Sequence, residues 1–250
     1  KSEYELAPIE CYNIIENDMT YLYYRGKPLY PFGYGLSYAK FEYSDFDVKE
    51  NGDVISVSLD VANVSETDSD EVVQIYFRME NPSVKRPLRQ LVAFAREHIK
   101  GGSKRHFEFD IKKSELRFYD VSRERFAVEQ GRYTFMAGAS SEDIRLTKTI
   151  DISGEKIPPR ELCKGIKAKN YDGKYGAKMK YSKKSEQHYM LGGGLIYNNC
   201  VLGEADSIEI VCGSRVNTGK IPVRYGGETL CEAEVKPTVD VTKFETVTAQ

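Results

Sequence analysis

The sequence lacks tryptophan altogether and contains only three histidines among its 250 residues. His98, His106 and His188 lie in unrelated contexts, and no Gly-x-Ser-x-Gly motif accompanies them. A serine–histidine–acid hydrolase is therefore excluded, because its nucleophile must be held beside a base. His98 and His106 flank the Gly101-Gly102 turn, which predicts a surface pair on neighbouring strands, and two histidines alone make a poor metal site.

Cysteines are few and widely scattered. No two of the five lie close together, so a zinc site is not expected. An odd, scattered set is typical of buried thiols, while a bridge between two of the last three remains an open alternative. They are Cys11, Cys163, Cys200, Cys212 and Cys231.

Neither a charge excess nor a long apolar run is present. The 36 basic and 38 acidic residues give a net charge of −2. No surplus positive field exists to attract phosphates, so a nucleic-acid partner is not expected. No run approaches the ~20 apolar residues that span a bilayer, so no membrane partner is expected. The opening Lys-Ser-Glu-Tyr-Glu-Leu is typical of the interior of a longer protein, and the compartment (secreted, cell-associated or cytoplasmic in a bacterium) stays open.

The positive signal is β-strand periodicity. Apolar and polar residues largely alternate over residues 54–61, as in a strand with one buried face. About seven short strands between residues 41 and 150 predict an antiparallel sandwich of immunoglobulin-like type. Ile157-Pro158-Pro159 breaks the pattern, and a second series of short strands follows. The predicted fold class is therefore all-β, with two antiparallel β-sandwiches.

Several motifs carry a family resemblance over residues 20–152. The sequence P-L-Y-P-F-G-Y-G-L-S-Y occupies residues 28–38, and related motifs follow in order at residues 70–76, 87–91, 130–133 and 140–144. Together they resemble the fibronectin type III-like domain that closes family 3 glycoside hydrolases, the β-glucosidases and β-xylosidases. The resemblance implies a leader at residues 1–35, this domain at residues 36–153 and a linker at residues 154–162.

The glycines between aromatic residues in this leader suit a tight turn that approaches another surface closely. By resemblance, the leader docks on the catalytic body, so the implied partners are the upstream catalytic domains of the same polypeptide. The turn residues expected to dock are Pro31, Phe32, Gly33, Tyr34, Gly35 and Tyr38.

Residues 163–250 resemble a second family. The sequence I-K-A-K-N-Y-D at residues 166–172 is similar to the opening strand of family 6 carbohydrate-binding modules. The resemblance implies a jelly-roll-like sandwich in which Tyr189 and Phe244 clamp a sugar, but the family's final strands are missing, so a truncated module is expected. Lys169 stands where that family has a glutamate on a structural calcium. Calcium needs oxygen ligands, which an ammonium does not offer. We therefore expect no cofactor, while a structural calcium stays open as the less favoured alternative.

Sugar binding is the chemistry that these residues support. Aromatic faces cover the C–H groups of a pyranose, and nearby amides reach its hydroxyls. The opposing interpretation is that strand tyrosines are half-buried sheet packing. The candidates are Tyr171, Tyr175, Tyr189, Phe244, Asn198 and Asn199.

The chain itself is not expected to be an enzyme. A retaining glycosidase needs two carboxylates about 5–5.5 Å apart. Family 3 enzymes carry their nucleophilic aspartate upstream, in a Ser-Asp-Trp-like motif that a chain without tryptophan cannot contain. The hypothesis is an accessory region of a glycosidase acting on β-linked xylo- or gluco-oligosaccharides, with xylan or β-glucan as a ligand of the second module. The alternative is a structural spacer, or a dimerisation module that pairs through an exposed strand edge.

Overall fold

The computed structural model describes residues 13–182, 187–214, 218–238 and 244–249, with backbone alone for residues 179–182 and 187–190. The chain divides into two compact units between Ile157 and Pro158, inside the stretch predicted as a linker. Strands dominate both units, which confirms the predicted all-β fold class. The α-helix of the described part is α1, Thr20–Tyr23, and no helix there is long enough to cross a membrane.

The first unit is a sandwich of two antiparallel sheets. One sheet has the order β1-β2-β5 and the other β4-β3-β8-β9, while β6 and β7 form a separate hairpin. A 3₁₀ turn, Lys113–Leu116, follows β5. The strands are β1 Phe41–Asn51, β2 Val54–Asn63, β3 Ser69–Met79, β4 Gln90–Ile99, β5 Lys104–Lys112, β6 Phe118–Asp120, β7 Arg125–Ala127, β8 Gly131–Gly138 and β9 Ile144–Ile152.

Strand β2 shows why the sandwich forms. Ile55, Val57 and Leu59 are buried between the sheets, whereas the residues between them are only partly covered. Successive side chains of a strand point to opposite faces, so this alternation directs one face into the core. Each such side chain contributes about 1.5–3 kcal/mol when it is removed from water. The largest wholly buried side chains of the core include Ile55, Leu59, Ile75, Tyr133 and Phe135.

Strand β3 is buried on both faces. Ile75 and Phe77 face the core between the sheets, while Gln74 and Tyr76 on the outer face are also buried. The ring of Tyr21, from α1 in the leader, covers Tyr76 with its centroid 6.3 Å away. The leader therefore forms a third layer, which explains the nearly continuous apolar sequence of this strand.

The second unit consists of strand pairs in its described residues. The pair β10-β15 is parallel, and β11-β14, β12-β13, β16-β19 and β17-β18 are antiparallel. Two 3₁₀ turns, Leu162–Lys164 and Ala168–Asn170, precede β11. The jelly-roll arrangement remains a prediction. The strands are β10 Arg160–Glu161, β11 Gly173–Tyr175, β12 Lys178–Ser182, β13 Gln187–Leu191, β14 Gly194–Ile196, β15 Cys200–Val201, β16 Ile208–Cys212, β17 Gly219–Tyr225, β18 Glu228–Val235 and β19 Glu245–Ala249.

Two minor predictions need correction. His98 lies in β4 and His106 in β5, and these strands belong to different sheets, so the two histidines are not neighbours across a ladder. Their imidazoles contact separate carboxylates, Asp70 at 2.8 Å and Asp60 at 2.5 Å. Cys163 is exposed, contrary to the buried thiols expected. The described cysteines, Cys163, Cys200, Cys212 and Cys231, are free thiols.

Candidate functional site

The most conspicuous surface feature of the first unit is residues 29–38, which we call the docking segment. Its aliphatic and aromatic side chains face solvent: Leu29 and Leu36 are 88% and 89% exposed, and Tyr38 is fully exposed. Phe32 and Tyr34 are about half exposed, at 45% and 49%. Soluble proteins rarely expose a contiguous apolar surface of this kind unless it contacts a partner.

A buried amide holds the docking segment in place. The side chain of Gln74, on the outer face of β3, donates hydrogen bonds to the carbonyl oxygens of Gly33 at 3.2 Å and Ala139 at 2.6 Å. Its own carbonyl oxygen accepts the hydroxyl of Tyr76 at 2.5 Å. Gly33 has φ +78, and a Cβ there would lie 2.1 Å from Gln74 Oε1. Glycine is therefore required at this position.

Aromatic stacking fixes the same segment from the leader side. The Tyr21 and Phe32 rings are nearly parallel, at 11°, with centroids 4.2 Å apart. The Tyr21 hydroxyl accepts the backbone N–H of Leu91 at 3.3 Å, and the backbone N–H of Ser141 donates to the Phe32 carbonyl at 2.9 Å. Burial raises the pKa of the Tyr76 phenol. The segment is thus exposed on one side and tied to the sheet on the other.

The loop between β3 and β4 anchors the rest of the leader. Lys85 donates to the Ile15 carbonyl at 2.6 Å and pairs with Asp18 at 3.0 Å. The backbone N–H of Leu88 donates to the carbonyl of Leu22 at 2.7 Å. These bonds attach the leader to the sandwich at a second place. The chain that enters the docking segment is therefore held against the sandwich.

Sequence reasoning singled out the turn, whose docking role stays a prediction, but missed Tyr21 and Gln74, which position it. A signal for Gln74 exists, because it is a polar residue inside the apolar run of β3. A polar side chain buried in such a strand needs hydrogen-bond partners, which predicts that polar backbone covers it. Nothing local in the sequence identifies the aromatic partner of Tyr21.

The sugar-binding candidates divide among three places in the second unit. Tyr175 is the last residue of β11 and Tyr171 lies two residues before that strand, whose partner β14 leads to Asn198 and Asn199. Tyr189 is in β13, where its backbone pairs with Lys180, and its side chain lies outside the described part. Phe244 is half-buried and directly precedes β19. The sequence-predicted clamp of Tyr189 and Phe244 therefore remains a prediction.

The β11–β14 end is organised by a buried ion pair. Arg160 binds Asp172 at 2.7 Å, and both side chains are largely buried. The second carboxylate oxygen of Asp172 accepts the backbone N–H of Asn198 at 2.6 Å, and the Asn199 carbonyl accepts the backbone N–H of Arg160 at 2.7 Å. The two asparagine side chains are thus held at the surface by their backbones.

Two tyrosines lie at or near β11. Tyr175 is 62% exposed and lies against Gly194, where an added Cβ would approach its ring within 2.2 Å. The Tyr171 ring is half-buried, with the Lys174 ammonium 5.6 Å from its centroid. Tyr175 therefore presents an aromatic surface of the kind that covers a sugar ring, at the end of the strand pair opposite to Asn198.

Within the described ranges, no three His, Cys, Asp or Glu side chains cluster in a way that would hold a metal ion. Lys169 lies in the 3₁₀ turn before β11.

Comparison with known proteins identifies a family that is similar to part of the first unit. Residues 71–141 match the family described as the fibronectin type III-like domain. The chain is 36% identical over 141 residues to thermostable β-glucosidase B of Acetivibrio thermocellus, covering 53% of this chain and 18% of that protein. It is 34% identical over 126 residues to the exo-α-(1→6)-L-arabinopyranosidase of Bifidobacterium breve, covering 50% of this chain and 17% of that protein.

A solved structure matches the same half of the chain. The β-glucosidase of Kluyveromyces marxianus, crystallised with glucose, is 35% identical, with 51% of this chain and 16% of that chain covered and a TM-score of 0.49. The chain thus spans less than a fifth of the length of the relatives it matches. Residues 71–141 are thus similar to a fibronectin type III-like domain, and about half of the chain is similar to part of longer proteins that include a β-glucosidase and a putative β-xylosidase.

Proposed function

We propose that this chain is a non-catalytic accessory region of a family 3 glycoside hydrolase that acts on β-linked xylo- or gluco-oligosaccharides. Its first unit docks on upstream catalytic domains of the same polypeptide through the docking segment. The observation that carries the proposal is the exposure of Leu29, Leu36 and Tyr38 on backbone that Gln74 and Tyr21 hold in place. A segment already ordered loses little conformational entropy when it binds, which favours a stable interface.

The test is association with the catalytic domains expressed as a separate polypeptide. Leu36→Ser with Tyr38→Ser should weaken binding by roughly 2 kcal/mol or more, because these changes remove large apolar contacts. Phe126→Ser is the matched control, since Phe126 is 58% exposed on β7, in a separate hairpin outside the docking segment. Equal binding by the double variant and the unmodified chain would refute docking through this segment. The isolated chain should not cleave aryl β-glucosides or β-xylosides.

A second role, retention on polysaccharide, is favoured by the exposed ring of Tyr175. Tethering raises the local enzyme concentration without changing the chemistry. Affinity electrophoresis in gels with xylan, β-glucan or no polysaccharide tests it, with Tyr175→Ala and Tyr189→Ala as variants. Retardation that both substitutions reduce supports a binding module. Equal mobility in every gel favours the spacer role, and a concentration-dependent dimer favours pairing through a strand edge.

A further inference from the structure

A cleft of about 690 Å³ opens on the first unit between the leader, the β3–β4 loop and the start of β9. Its volume lies within the range of ordinary small-molecule sites, ~300–1,000 Å³. Five of its lining side chains are cationic, and the remainder are mostly apolar, with Met136, Leu88 and Pro87 among them. The cations are Arg25, Arg78, Lys85, Arg86 and Arg89.

The positive charge of the cleft is only partly compensated. Two acids line it: Glu80 binds Arg78 at 2.9 Å, and Glu142 binds Arg89 at 3.1 Å. Each contact uses one nitrogen of a guanidinium that carries five N–H donors. Arg25 is exposed and has no ion-pair partner in the ranges that the structure describes. Lys85 and Arg86 are also paired, with Asp18 and Glu129, so within the described residues the uncompensated positive charge of the cleft is that of Arg25.

Arg86 contributes a second, independent observation. Its side chain is 9% exposed, its guanidinium lies 3.7 Å above the Phe118 ring, and its NH2 group binds Glu129 at 3.0 Å. The buried Nε–H, however, has no acceptor in the described part of the chain. A buried donor without an acceptor carries a desolvation cost that a new acceptor removes. Arg86 also lines the cleft, so an acceptor bound there beside its guanidinium would remove this cost.

We propose that this cleft binds the carboxylate of a uronic acid, an acidic sugar. Guanidinium groups bind carboxylates through paired, charge-assisted hydrogen bonds. The cleft is larger than a lone carboxylate requires, and its apolar residues can cover the C–H groups of a pyranose ring. The choice of a sugar over another organic acid rests on the proposed function, because the relatives of this unit are glycosidases.

Isothermal titration calorimetry of the full chain with methyl β-D-glucuronide tests the proposal, with methyl β-D-glucoside as the neutral sugar of the same ring. The glucuronide should bind saturably and the glucoside should not. Arg25→Gln combined with Arg78→Gln should weaken binding by about tenfold or more, since charge-assisted hydrogen bonds are lost. Arg105→Gln, at an exposed arginine of β5 in the other sheet, should leave binding unchanged.

Three outcomes would overturn the proposal: no saturable glucuronide binding, equal affinity for the glucoside, or no loss in the arginine variants. Arg25→Gln alone serves if the double variant is unstable, because Arg25 makes no ion pair that the fold needs. Tight binding of poly-glutamate without binding of the glucuronide would assign the cleft to an acidic protein instead. Because the isolated chain is titrated, the result is independent of whether the docking segment binds catalytic domains.

Discussion

Both units are built mainly from strands, but the strands of the second are generally shorter, and the units differ in what the strands enclose. The first unit surrounds one continuous core of branched and aromatic side chains, extended by the leader as a third layer. In the described residues of the second unit, the buried apolar side chains are small: Ala177, Ala233, Val235 and Ala249. Polar contacts such as Arg160–Asp172 carry more of its local order. Strand content alone therefore says little about how a β-unit is stabilised.

The largest expected effect comes from a substitution in the core of the first unit, compared with the same substitution at an exposed leucine of the second. Leu59→Ala removes a wholly buried side chain from β2 and should lower the free energy of unfolding by about 2–5 kcal/mol. Leu191→Ala, at a residue 53% exposed in the second unit, makes the same chemical change and should cost less than about 0.5 kcal/mol. Urea unfolding with hydrogen exchange measures both. If the two substitutions lowered the free energy of unfolding equally, the buried core of the first unit would not be what distinguishes its stability from that of the second.

The next largest effect is expected in the second unit, where a buried charged side chain is replaced by an apolar one. Arg160→Met leaves Asp172 buried without its cation and should cost about 2–3 kcal/mol, observed as faster amide exchange in β11 and β14. The control, Lys220→Met, removes an exposed ion pair with Glu232 and should cost less than about 1 kcal/mol. If Arg160→Met left exchange unchanged, local order in this unit would not depend on the ion pair.

Two glycine substitutions in the leader test whether the leader contributes to the stability of the first unit. Gly33→Ala places a Cβ against Gln74 at a positive φ and should destabilise the first unit by about 1–3 kcal/mol. Gly35→Ala has no heavy atom within 4 Å of the added Cβ and should be nearly neutral. Thermal denaturation compares the two variants. Equal melting temperatures would mean that the leader contributes nothing to the stability of the sandwich.

The smallest effect on stability is expected at low pH, from Glu155 near the end of the first unit. Hydrogen bonds from Arg125 and Arg123 hold the pKa of Glu155 at about 2. The folded-state pKa lies below the ordinary value of 4.5, so this stabilisation is complete above that value and is lost as pH falls towards about 2. Glu155→Gln should flatten the loss of stability over this range. A melting curve with unchanged acid sensitivity would exclude Glu155 as a contributor.

How far the sequence could predict this molecule depends on the kind of information required. Alternation over residues 54–61 identified the inward face of β2 because side-chain direction is a local property. The same pattern could not tell that β4 and β5 enter different sheets, so the pairing of His98 with His106 was wrong. Contacts between distant segments, such as Tyr21 with Phe32 and Tyr76, leave no local pattern.

The same distinction between local patterns and contacts of distant segments applies to the candidate site. Exposure of the docking segment could be anticipated from aromatic residues between glycines, because turns with that composition form locally. The position of Tyr175 opposite Gly194 depends on the pairing of β11 with β14, which is not a local property. The role of Tyr189 and Phe244 in sugar binding stays a prediction, as does the absence of a cofactor.

The third layer has a practical consequence for where this unit can be cut. The family match begins at residue 71 and the first strand of the sandwich at Phe41, and either position would be a natural start for an excised domain. Both would discard Tyr21 and the docking segment, leaving Tyr76 and the amide of Gln74 on a bare outer sheet face. The smallest piece that retains the folded unit therefore begins upstream of α1, well before any strand.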